Sequence, residues 1–114
     1  MVTSITPFGQ TGPYRDFNGS DIVCLAMSGL MYVIGDSDRQ PVRLTADQAY
    51  LYAGAEATSA TVAAHYRREA TGEGQHIDVS VQEAIAWTMG NESRSYEINK
   101  TISKRRGRAV QGGK

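Results

Sequence analysis

Cysteine is almost missing from this chain: Cys24 is the only one, which excludes an intrachain disulfide and suits a reducing compartment. It sits in the apolar run Ile22-Val23-Cys24-Leu25-Ala26-Met27, so it reads as a buried, inert thiol and not as a nucleophile. Net charge is missing too. Lys+Arg and Asp+Glu both number 12, so the whole chain makes no electrostatic case for nucleic acid or an anionic membrane. Nowhere is there an apolar run long enough to cross a bilayer, and the N-terminus has no basic n-region before an apolar stretch. These absences point to a cytoplasmic protein with no membrane partner. Its 114 residues fit one small domain with a single modest core.

The charge that is present is unevenly placed. Arg94, Lys100, Lys104, Arg105, Arg106, Arg108 and Lys114 face only Glu97, whereas everything before Arg94 is acidic overall. Residues 96–114 therefore read as a basic, glycine-rich tail of poor order, and residues 1–95 as the folded part.

Within the folded part, Met1 to Thr6 is β-branched and extended, the pattern of a strand. Two prolines and two glycines make Pro7 to Pro13 a loop. A first helix starts at Ser20, with Asp21 in its first turn where a carboxylate meets the positive end of the helix dipole, and runs to about Met31. Gly35 to Pro41 is a turn, and Val42 to Leu44 a brief extended piece. A long helix follows from Ala46 to Ala70, opened by Thr45 and Gln48 as a capping box. Its middle, Ala53 to Ala64, is nearly all small residues, which lets a neighbouring backbone come unusually close. That predicts a helix buried on more than one side, with Glu56 at an exposed edge.

Thr71-Gly72-Glu73-Gly74-Gln75-His76-Ile77-Asp78-Val79-Ser80 is the most informative stretch. Two glycines let the chain reverse after the helix. Gln75 to Val79 alternates as a strand does, and Ser80 with Glu83 forms a second capping box opening a helix from Val81 to about Arg94. Because Gly72 and Gly74 follow a helix and precede a strand, they do not form a phosphate loop. Two or three short strands and three helices leave open sheet edges, so the whole reads as a segment of something larger.

Taken as a string, Thr71 to Ser80 with Arg67-Arg68-Glu69 before it resembles the R-x-x-TG-x-GQ-x-(V/I)-DVS signature of the family III CoA-transferases. Further matches stand in order along the chain. Ser4 to Pro13 is similar to the family's SI(S/T)-x-FGQ-x-GP segment. Asp21 with Met27-Ser28-Gly29-Leu30-Met31 resembles its SGLM helix, and Gly35-Asp36 with Pro41-Val42-Arg43 its turn before the long helix. The resemblance implies an α/β fold, a central fragment of a Rossmann-like large domain. It also implies an intertwined homodimer, no covalently bound cofactor, and coenzyme A or acyl-CoA as substrate. The implied reaction moves coenzyme A from an acyl-CoA thioester to a carboxylic acid through a covalent aspartyl intermediate.

Here the chain departs from the family pattern. The family's nucleophilic aspartate lies four residues before the glycine matching Gly54, and that position holds Tyr50. Asp47, three residues earlier on much the same helix face, is the candidate nucleophile; the alternative is an ordinary acid favoured by the helix dipole. Asp21 matches an acidic position lining the family's active site, with the same alternative. His65, near Tyr66, has no Cys, Asp or Glu at ligand spacing and reads as structural; His76 fills a variable polar slot. A rival reading makes the chain a non-catalytic module whose Lys104-Arg105-Arg106-Gly107-Arg108 binds RNA or an acidic partner. Aromatic residues are nearly absent there, which disfavours stacking on bases.

Overall fold

The computed structural model describes residues 1–105 and Gly107. Its elements run β1 (Val2–Thr6), α1 (Asp21–Met27), α2 (Leu30–Val33), α3 (Gln48–Thr71), β2 (His76–Ser80), α4 (Val81–Trp87) and α5 (Gly90–Asn99). The fold is α/β. β1 and β2 pair in parallel, with Val2 opposite His76 and Thr6 opposite Ser80. Parallel neighbours need a crossover connection, and here α1, α2 and α3 supply it. α3 packs against α1, α4 and both strands.

The core follows from the apolar pattern. Cys24, Leu25 and Ile85 are fully buried, joined by Phe8, Leu30, Val79, Val81, Ala84 and the α3 alanines Ala49, Ala53 and Ala57. The α3 alanines recur every fourth residue, which puts them on one stripe and lets α1, α4 and the strands close over it. The second buried side expected for α3 is not made by the described residues. Ala55, Thr58 and Val62 are exposed, and a Cβ at Gly54 would meet nothing within 4 Å. Glu56 is exposed, as the sequence suggests.

Several boundaries differ from expectation, each for a local reason. The first helix breaks in two because Gly29 takes φ 91°, a left-handed value that stops α1 and starts α2. The third helix breaks at Thr88, whose hydroxyl donates to the Ile85 carbonyl at 2.7 Å, and α5 then carries on to Asn99, into the stretch assigned to the tail. Val42 to Leu44 forms no strand. The Ser80 box is half made, with the Glu83 N–H donating to Ser80 Oγ at 3.3 Å. Gly72 ends α3 at φ 75°, its N–H donating to the Arg68 carbonyl at 2.7 Å. Of the basic tail, Arg106 and residues 108–114 lie outside the described residues.

Candidate functional site

Parallel pairing of β1 and β2 brings distant motifs together. Ser4 stands opposite Asp78, and the Gln10 N–H of the following loop donates to Asp78 Oδ2 at 2.8 Å. The Gln82 N–H, in the first turn of α4, donates to the Pro7 carbonyl at 3.0 Å. Behind this loop Cys24 is buried, its thiol 3.8 Å from the same carbonyl. Burial pushes the Cys24 thiol up from its ordinary value, and the Asp21 carboxylate adds to the rise, so it stays protonated and inert as expected.

Both candidate carboxylates meet at the start of α3, and they are in different states. Asp21 is only 4% exposed. Its Oδ1 accepts the backbone N–H of Ala49, the second residue of α3, at 2.8 Å. That N–H is among those a helix leaves unpaired at its beginning, so Asp21 caps α3 across the fold. Asp47 occupies the N-cap position itself, at φ −86° and ψ 65°, yet its side chain makes no cap hydrogen bond. It lies 67% exposed, with Oδ1 3.1 Å from Arg43 Nη2. The same nitrogen stands 3.5 Å from Asp21 Oδ2. Arg43 therefore bridges the two acids.

The Thr45–Gln48 capping box does not form. Ala46 takes φ 62°, a left-handed value costly for a residue with a Cβ, and Gln48 instead donates from Nε2 to the Thr45 carbonyl at 3.2 Å. That kink places Asp47 just outside the helix instead of in its first turn. Tyr50, within the first turn, is 46% exposed. Arg43 was legible only as part of a turn motif. Its opposite charge four residues before Asp47 was the available signal, hidden because no helix spans those positions. Elsewhere, His76 Nε2 is 2.9 Å from Ser4 Oγ. His65 lies 4.0 Å from Glu69, a neighbour one turn on that the spacing argument did not count.

The comparisons with known proteins decide the family. The profile of CoA-transferase family III matches residues 1–113. The chain belongs to this family. Among curated CoA-transferases it is 39% identical over 108 residues to succinyl-CoA:(R)-benzylsuccinate CoA-transferase subunit BbsE of Thauera aromatica, covering 95% of this chain and 26% of that protein. It is 39% identical over 99 residues to succinate–glutarate CoA-transferase of Agrobacterium fabrum, covering 87% and 25% respectively. A CAIB/BAIF family protein from Brucella suis has the same fold, at a TM-score of 0.91 and 33% identity over 95% of this chain and 29% of that one. The chain thus spans about a quarter of the length of the curated CoA-transferases it matches.

Proposed function

We propose that this chain forms part of a CoA-transferase active site in which Asp47 is the nucleophile, moving coenzyme A from an acyl-CoA thioester to a free carboxylic acid. The observation that carries the assignment is the division of labour at the start of α3. Asp21 is buried and occupied in capping Ala49, whereas Asp47 is exposed, makes no cap bond and sits beside a guanidinium. A nucleophile must reach its substrate, and of these two acids only Asp47 is exposed. Asp21 is then a positioning residue, holding the start of the helix that Asp47 immediately precedes. Tyr50 is the competing occupant of the family's position, but a phenol cannot yield the acyl anhydride that a carboxylate does.

Aspartyl anhydrides and thioesters hydrolyse readily, so the site must be walled off from water. Asp47 is open to solvent in this chain. The walls would come from residues beyond this chain, and a homodimer partner is the family's usual source. Succinate or succinyl-CoA stands in the names of both curated CoA-transferases described above, which makes succinyl-CoA the first donor to test.

The test is thioester exchange by the complete transferase carrying this segment, with and without Asp47→Asn, alongside the chain alone. The complete enzyme should turn over, the variant should lose orders of magnitude in kcat, and the chain alone should be inactive. Unchanged exchange in the variant would refute the nucleophile assignment. Turnover by the chain alone would refute the need for outside walls.

A further inference from the structure

Arg43 holds two carboxylates of unlike kind on one nitrogen, Nη2. Asp21 is buried and fixed by its bond to Ala49. Asp47 is exposed and held by this pair. Arg43 is itself about half exposed, at 49%, and a guanidinium carries five N–H donors in a fork suited to carboxylates.

We propose that Arg43 is an acceptor-binding residue whose hold on a free carboxylate strengthens whenever Asp47 loses its charge. The inference rests on Asp47 being the nucleophile. In that reaction Asp47 attacks the acyl carbon of the donor thioester, the C–S bond breaks, and coenzyme A leaves as a thiolate. The thiolate then attacks the Asp47 carbonyl carbon of the resulting anhydride, the C–O bond to Asp47 breaks, and the donor acid leaves as a carboxylate. Asp47 is now a neutral thioester. An acceptor carboxylate attacks it and expels the thiolate, forming a second anhydride. The thiolate attacks the acceptor's acyl carbon, releasing the new acyl-CoA and the Asp47 carboxylate. No proton or electron is gained or lost over the cycle.

Through every covalent stage the side chain at position 47 is neutral, so Arg43 keeps Asp21 and loses its exposed partner. In one of those stages, the thioester, the donor acid leaves and the acceptor acid arrives as free carboxylates that have to be held beside position 47. When Asp47 regains its charge the ion pair re-forms, just as the acceptor becomes a neutral thioester. One arginine thereby links the covalent state of the enzyme to its affinity for the acid.

Asp47→Asn imitates the neutral state in this chain while leaving Asp21 and its bond to Ala49 in place. Succinate is titrated into the unsubstituted chain and into D47N by isothermal calorimetry, with uncharged succinamide as control. D47N should bind succinate about two- to fivefold more tightly, the range of exposed ion-pair couplings. The gain should vanish in D47N with Arg43→Gln, and persist in part with Arg43→Lys, which keeps the charge and loses the fork. Equal affinity in D47N and the unsubstituted chain, or a gain that survives Arg43→Gln, would overturn the proposal. The nucleophile assignment fails separately: full exchange by the D47N transferase together with the succinate gain would keep the Arg43 site and remove Asp47 from the chemistry.

Discussion

A single carboxylate, Asp21, ties the start of α1 to the start of α3 while it holds Arg43. Hydrogen bonds to charged groups are worth about 1.5–3 kcal/mol, and a buried N–H left without its acceptor costs a similar amount. Asp21→Ala should therefore lower unfolding stability by about 2–3 kcal/mol in urea titration, and Asp21→Asn, which keeps an acceptor oxygen, by less. No loss in Asp21→Ala would mean that the cap contributes nothing. Sequence reasoning singled out both Asp21 and Asp47 as helix-start acids. It could not tell which of them caps, because the N–H that Asp21 satisfies is 28 positions away and only the tertiary fold brings it near. The helix-start preference was the alternative reading of both acids, and at the start of α3 it is Asp21 that accepts the N–H. Arg43 escaped notice for a related reason: its role lies in a bridge between two elements.

Elements were most legible where a local rule acts alone. The alternation in Ile77 and Val79, the Ser80 cap and the Gly72 stop all stand where the residues put them. Helix interruptions were harder, since one turns on the Gly29 backbone angle and the other comes at Thr88 with its side-chain hydrogen bond, and periodicity reports neither. At Gly29 an added Cβ would meet only Met89 Cε at 3.7 Å, an ordinary contact, so the cost of a side chain there is conformational. Gly29→Ala should destabilise the protein by about 1–2 kcal/mol, the penalty of a left-handed L-residue. Thermal denaturation of the variant checks this, and an unchanged midpoint would show that α1 and α2 can join without loss. The Ala46 kink obeys the same physics and was invisible for the same reason: a residue with a Cβ is seldom expected at a positive φ.

For the whole molecule, motif order was the legible part, because collinear segments preserve topology even where single boundaries shift. What covers the remaining apolar surface was not legible, since no pattern in these residues names a partner for it. Ile22, Met27, Leu51, Val62 and Trp87 are all exposed, Trp87 by 74%, and both sheet edges are open among the described residues. Sedimentation velocity should therefore show self-association that grows with concentration; a single monomer species throughout would argue that these faces do not pair. Covalent chemistry at Asp47 leaves a trace that hydroxylamine traps. The complete transferase is incubated with succinyl-CoA, quenched in hydroxylamine, and digested for peptide mass analysis. An aspartyl thioester or anhydride there becomes a hydroxamate, so that mass should be found on Asp47 and should disappear in Asp47→Asn. A hydroxamate on Asp21, or an active enzyme with none on Asp47, would contradict covalent chemistry at Asp47.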